Sequence, residues 1–223
     1  MNRVRSNEGA GQAKLRPSVS EADLHAILHA GRIRLHQLAL AEQGLAEQFY
    51  ATLASRRADL AVATARAIAT SRSRGIAELQ PMGSSQFGTA LHDSDIDLYA
   101  PIPPTCADLG PLRALLDGHA EYRKTRSVPT AGPRHLFDFQ QDGIDVDLNL
   151  VEPADYRLAV TVVQEIAAAL TGPDRIANTW IKHLLRERGH ADAYDQWKDA
   201  MRLRHSATLR RLRAPQPGKE PHQ

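Results

Sequence analysis

Cysteine is almost missing from this chain: its 223 residues include one, Cys106. A single thiol excludes an intrachain disulfide and any cysteine-cluster zinc site. Cys106 lies in a proline-rich stretch without a neighbouring histidine, so no thiol nucleophile is expected there. The ten histidines never fall into a zinc spacing. Long apolar runs are missing as well, and none approaches the roughly 20 residues that a bilayer span needs. The stretch Met1–Ser20 has no apolar core of the kind that marks a secretory signal. A cytoplasmic protein that does not enter a membrane is the expectation.

What the chain does have is 42% apolar residues against 24% charged ones. That suffices for a sizeable core in one domain, or in one domain with an appended helical part. The formal net charge is only +2, but it is unevenly spread. Between Ile181 and Arg213 nine Lys and Arg stand against four acids, a net of +5. Such a segment suits a phosphate-bearing partner, a nucleotide or a nucleic acid; an ordinary solvated helix face is the alternative.

Residues 1–19 are polar and are expected to be mobile. Ser20 to Asp23 reads as a capping box, followed by helical spacing at Leu24, Ile27, Leu28, Leu35, Leu38, Leu45, Phe49 and Leu53. An Ala-rich stretch from Leu60 to Thr70 continues as a separate helix. Ile76–Met82 is expected to be a strand, and "DIDLYAPI" a second one, stopped by prolines. A helix around Leu109 to Ala120 follows, capped by Thr105 or Asp108. "RKTRSVPTAGPR" is a polar loop or the edge of a strand. "HLFDFQQ" and "IDVDLNLVE" flank Asp142-Gly143, whose positive φ angles suit a tight hairpin. Three C-terminal helices are expected: Pro153 to about Leu170, Pro173 to Arg188, and roughly Ala191 to Leu212. Helices, a few strands with one inserted helix, then helices again make an α+β fold with a small mixed sheet.

The chemistry concentrates in "MGSSQFGTALHDSDIDLYAPI", Met82 to Ile102. Alternate strand residues face one way, so Asp95 and Asp97 emerge together about 7 Å apart at the backbone, while Ile96 and Leu98 face the core. Two like charges so close raise each other's pKa unless a cation lies between them, and hard oxygen donors suit Mg²⁺ or Mn²⁺. A charged strand start with solvated acids is the alternative. In "GIDVDLNLV" the pattern repeats, with Asp145, Asp147 and Asn149 opposite Ile144, Val146 and Leu148. A third carboxylate joins the pair if the two strands are neighbours. Ahead of the acids, Gly83 allows close backbone approach, Ser84 can bond a phosphate oxygen, and Gly88-Thr89 closes the turn. Near the motif, His92 and Asp93 suit a loop or cap. Arg134 and His135 suit a strand start. Tyr99, Tyr156 and Trp180 suit the core rather than base stacking.

Together these residues resemble the active-site signature of the DNA polymerase beta-like nucleotidyltransferase superfamily. In it a Gly-Ser pair precedes Asp-x-Asp by about ten residues, and a third acid follows on a later strand. Gly83-Ser84, Asp95-x-Asp97 and "VDLNLV" match it, with Asp147 the better third acid and Asp145 the fallback. "ANTWIKHLLRER" is similar to the helix of poly(A) and terminal uridylyl transferases whose lysine reaches the triphosphate, which nominates Lys182. The stretch from Trp180 to His205 also resembles the C-terminal end of GrpB-like proteins. The superfamily resemblance implies a catalytic core at 76–152, N-terminal helices at 20–75, a C-terminal helical segment at 153–212 and a tail at 213–223.

It further implies transfer of a nucleoside monophosphate from an NTP to an acceptor hydroxyl. Two Mg²⁺ or Mn²⁺ ions would be held by Asp95, Asp97 and Asp147, and the nucleotide by Gly83, Ser84, Thr89 and Lys182. An RNA end such as tRNA is the favoured acceptor. The alternatives are a protein acceptor, as in a toxin–antitoxin type system, and a non-catalytic NTP- or RNA-binding relic of the fold.

Overall fold

The computed structural model describes residues 43–128 and 131–214. The expected N-terminal tail, the capping box at Ser20 to Asp23, the helical spacing through Leu38 and the tail from residue 215 lie outside the described residues. The described chain opens with α1 (Gln43–Thr52) and α2 (Ala54–Ser73). Next come β1 (Gln80–Met82), the short α3 (Gly83–Phe87), β2 (Ile96–Pro101) and α4 (Leu109–Leu116). Three strands follow, β3 (Glu121–Val128), β4 (Ala131–Gln141) and β5 (Ile144–Val151). The chain closes with α5 (Pro153–Ala169), α6 (Gly172–Glu187), α7 (Ala191–His205) and α8 (Ala207–Arg213). The fold is α+β around a five-stranded mixed sheet of order β1-β2-β5-β4-β3.

Only β2 and β5 run parallel, at the centre; the other neighbours are antiparallel. Strict alternation in sequence makes these two the spine of the core. Ile96, Leu98, Ala100, Val146, Leu148 and Leu150 are all fully buried on one face. Leu60, Ala63 and Ala67 of α2 and Leu112 and Leu116 of α4 cover them. A second cluster joins Phe49 and Leu53 to Trp180, Ile181, Leu184, Leu185 and Trp197. It packs α6 against α1 and α7. A third, around Met82, Phe87, Val163 and Ile166, seats α5 over the β1 edge of the sheet's far face.

Three local expectations are corrected, and a fourth resolves to one of its two alternatives. The first strand is Gln80–Met82, not Ile76–Met82, because the Ile76 N–H is taken by the Ser71 carbonyl at 3.2 Å as α2 ends. Pro81 sits in it without penalty, since β1 pairs on one side only. The stretch left as loop or strand edge is β3 and the start of β4, a full antiparallel pair. The helix from Leu109 stops at Leu116, with Gly118 at φ 66° turning the chain into β3. The last helix is two, broken at Ser206: its hydroxyl accepts from Leu209 N–H (3.0 Å) and donates to Glu165 (2.6 Å). An interior serine that caps a new helix ends the old one. The Asp142-Gly143 hairpin forms as expected, with φ 53° and 74°.

Candidate functional site

Asp97 stands on the face of β2 away from the core, opposite Asp147 of β5 in the parallel ladder and opposite Met82 of β1. Asp95 lies just before β2, exposed, and its charge reaches Asp97. The sheet therefore puts two carboxylates, Asp97 and Asp147, on one face of neighbouring strands, with Asp95 close by at the entry to β2. Asp145 lies two residues earlier on β5, before its ladder with β2 begins, is exposed, and accepts from Gln140 at 2.9 Å. Of the two candidates on that strand, Asp147 is the one aligned with Asp97.

The electrostatics are strained in the direction that a bound cation would relieve. Burial first, then the Asp95 and Asp147 charges, push the Asp97 carboxyl up to about 6, against the opposing pull of Arg134 and Arg202. Burial, with help from Asp95 and Asp138, also raises Asp147, and Arg123 opposes it. Acceptor-only oxygens facing each other fit a hard divalent cation. As the side chains stand, no group of three His, Cys, Asp or Glu among the described residues is closed tightly enough to hold one. Asp147 has both its oxygens on Arg123 instead, at 3.1 and 3.4 Å.

Gly83 begins the turn after β1 at φ 61°, and a Cβ placed there would lie 2.5 Å from Asp97 Oδ2. Both the backbone angle and the space demand glycine, so the turn rests directly on the acid. Phe87 anchors this turn in the core, and Gly88 at φ 68° ends it. Thr89 is buried, and its N–H closes on the Ser84 carbonyl at 3.1 Å. Ser84 accepts a 2.7 Å hydrogen bond from the Lys182 ammonium.

Lys182 is only 6% exposed although it carries the charge of α6 into the cleft. Its ammonium also donates to Ser94 Oγ at 3.1 Å, and that oxygen in turn accepts from Leu91 N–H at 2.9 Å. Burial first, and the nearby Arg186, bring the Lys182 pKa down to about 8; Asp93, Asp95 and Asp97 work the other way. A buried cation satisfied by two hydroxyls and no carboxylate is costly unless an anion joins it. Lys182, Ser84 and the acid pair thus meet at one place, from α6, the turn and β2.

Several participants escaped the sequence reading. Ser94 sits inside the quoted motif, but nothing in a serine's identity announces a lysine partner 88 residues away. Tyr194 of α7 faces the same cleft, its ring 6.0 Å from the Lys182 ammonium and 5.4 Å from that of Lys198. Burial lifts its hydroxyl to about 12. On the sheet, Arg134 lies over the Tyr99 ring at 4.9 Å and donates to Asn149 at 2.7 Å. Asn149, fully buried, donates on to the Leu98 and Asp147 carbonyls.

The remaining candidates sort themselves by position. His135 is buried on the core side, paired with Leu150 in the ladder and 3.1 Å from the Thr125 hydroxyl, away from the acids. Asp93 pairs with Arg186 at 2.8 Å, and His92 is exposed beside it. Trp180 is fully buried against Phe49, and Tyr156 is 9% exposed. Cys106 is buried.

No family model and no curated protein matches the chain, and the GrpB-like resemblance of its C-terminal stretch is not shown. Solved structures do match over part of it. The Cid1 poly(U) polymerase bound to MgATP is 18% identical, with a TM-score of 0.45 over 64% of this chain and 49% of that one. A cytoplasmic RNA terminal U-transferase is 19% identical, with a TM-score of 0.38 over 64% and 41%. The GLD-2/RNP-8 complex is 16% identical, with a TM-score of 0.40 over 63% and 50%. The chain spans half the length or less of each of these three matches.

Proposed function

We propose that this protein is a metal-dependent nucleotidyltransferase, moving a nucleoside monophosphate from an NTP to an acceptor hydroxyl. One observation carries the reading: Asp97 is aligned with Asp147 across two central strands, with Gly83 pressed onto Asp97 and Lys182 held at Ser84. Asp95, Asp97 and Asp147 would hold the divalent metal, Mg²⁺ or Mn²⁺, with two ions expected. Bound there, such ions supply charge neutralisation for the phosphates and a lowered pKa for the attacking hydroxyl.

The chain's own groups do the rest. Gly83, lacking a side chain, lets the Asp97 carboxylate lie directly against the turn that would face the triphosphate. Ser84 and Ser94 present the Lys182 ammonium, which gains a phosphate oxygen as its third partner. The acceptor oxygen bonds to the α-phosphorus as the α–β bridging bond breaks and pyrophosphate leaves. The hydroxyl proton passes to solvent water beside Asp147. No covalent enzyme intermediate is needed, so positioning and charge carry the rate.

An RNA end is the first acceptor to test. The basic C-terminal segment supports it through Arg202, whose charge reaches Asp97 and Tyr99. Part of that segment's charge is spent internally: Lys198 pairs with Asp195, Arg213 with Asp199, and Arg186 with Asp93. Radiolabelled NTPs, offered singly with Mg²⁺ and either total RNA or lysate protein, test the proposal. Label in RNA is expected. Label in protein moves the acceptor to a polypeptide. Nucleotide binding without any transfer overturns the enzyme reading, as does label that survives Asp95→Ala combined with Asp97→Ala.

A further inference from the structure

The third acid is already in the grip of a cation. Arg123 meets Asp147 through two nitrogens, 3.1 Å to one carboxylate oxygen and 3.4 Å to the other, and Asp138 at 3.3 Å. Asp138 is the residue opposite Asp147 in the β4–β5 ladder, so one guanidinium spans a carboxylate pair across two strands. The arrangement is built into the backbone. The pairing of β3 with β4 slips between Tyr122 and Lys124, which leaves Arg123 as the extra, unpaired residue of a bulge. A bulge re-aims one side chain, and here it aims an arginine at the acid face. Planar two-point contact with a carboxylate is the strongest form such a pair takes.

We propose that Arg123 is an internal counter-ion that competes with divalent metal for Asp147. Resting on the reading of Asp95, Asp97 and Asp147 as metal donors, this makes metal loading stepwise. Among the described residues no arginine is hydrogen-bonded to Asp95 or Asp97, on which Arg134 and Arg202 act only from a distance, so that pair takes a cation first. Asp147 joins only when the guanidinium lets go. Arg123 also lines an open groove of about 830 Å³, walled by His119, Tyr122, Phe139 and Gln140, at the beginning of β3. A polar group entering that groove gives the released guanidinium somewhere to go. Arg123 is thus a positioning residue, acting on the reaction through Asp147.

Electron paramagnetic resonance titration with Mn²⁺, without nucleotide, reads the competition directly. In wild type, one Mn²⁺ is expected to bind more tightly than the second. Arg123→Ala should tighten the weaker step roughly fivefold, the scale of one partly exposed ion pair, and leave the tighter step nearly unchanged. Arg123→Lys keeps the charge and loses the two-point fork, so it should fall between the two. Because the Arg123 side chain is 42% exposed, both variants are expected to fold, which circular dichroism checks. Unchanged or weaker Mn²⁺ binding in folded Arg123→Ala overturns the proposal. So does Arg123→Lys matching wild type, since mere proximity of charge would then suffice. Absence of Mn²⁺ binding in wild type and variants alike sinks the metal reading along with it. A tightened second step in a protein that transfers no nucleotide upholds the counter-ion and removes only the enzyme reading.

Discussion

Two cations flank the acid face, and they are built in opposite ways. Lys182 is 6% exposed, comes from the middle of a helix, and rests on two serine hydroxyls. Arg123 is 42% exposed, comes from a strand bulge, and rests on two carboxylates. The first is short of negative charge and is placed to gain it from a ligand. The second already has its counter-charge and must lose it for Asp147 to serve a metal. On the proposed function, burial without a carboxylate fits Lys182 to gain a ligand's negative charge, and exposure with two carboxylates fits Arg123 to restrain Asp147.

The largest expected effect lies on the lysine side. Lys182→Met keeps the volume and removes the charge, so kcat/KM for the NTP should fall by about 100-fold or more, mostly through lost triphosphate contact. Stability should hold or rise, because replacing a buried, incompletely compensated charge by a packed apolar chain is often neutral or better. Steady-state kinetics with a parallel thermal melt checks both halves. A variant as active as wild type would place the triphosphate elsewhere and erase the contrast between the two cations.

Next comes the turn. Gly83→Ala puts a methyl where Asp97 Oδ2 already is and asks an L-residue to hold φ 61°. Transfer should drop by roughly 10- to 100-fold, as expected when a reacting group is displaced by about an ångström. The left-handed backbone adds a stability cost of about 1 kcal/mol, visible as a lower melting temperature. Equal activity in Gly83→Ala would mean that the turn does not set the position of Asp97.

The pH dependence of the metal-free protein sharpens the comparison. Asp97 titrates near 6 in the fold, above its ordinary 3.8. Between those values the folded state binds more protons than the unfolded one, so stability falls as pH rises. Lys182 titrates near 8 in the fold, below its ordinary 10.5. Above 8 the unfolded state binds more protons, and stability recovers with rising pH. A minimum between about pH 6 and 8 is expected, with each flank on the order of 3 kcal/mol. Asp97→Asn should flatten the acid flank and Lys182→Met the alkaline one in chemical denaturation series. Divalent metal should fill in the acid side, because it binds the ionised carboxylates.

How much of this could be read in the sequence depended on distance along the chain. Alternation in "DIDLYA" and "IDVDLNL" sufficed to put the acids on one face and Leu98 and Leu148 on the other, since strand period is a local property. The hairpin at Asp142-Gly143 was equally local. Lys182 was reached only through a resemblance, because a basic residue on an amphipathic helix has no spacing that distinguishes cleft from solvent. Ser94 and Tyr194 depend on how α6 and α7 pack against the turn, which no local pattern records. Arg123 was hidden deepest. "RKTRSV" reads as a polar loop or the edge of a strand, and the register slip that aims one of its arginines exists only once β3 has paired with β4.

The smallest expected effect is the stability change in Arg123→Ala, and its smallness is informative. The three charges of this cluster are all partly exposed, with side-chain exposures of 42%, 38% and 20% for Arg123, Asp138 and Asp147. Pairs of this kind contribute about 0–1 kcal/mol and weaken as salt is added. Urea denaturation of Arg123→Ala in metal-free buffer should therefore differ from wild type by less than about 1 kcal/mol, with the gap closing further at high salt. A loss of several kcal/mol would make Arg123 a structural clamp of the β3–β4–β5 sheet. A near-zero loss together with tighter Mn²⁺ binding separates the two roles: the guanidinium contributes little to holding the fold and much to deciding when Asp147 is free.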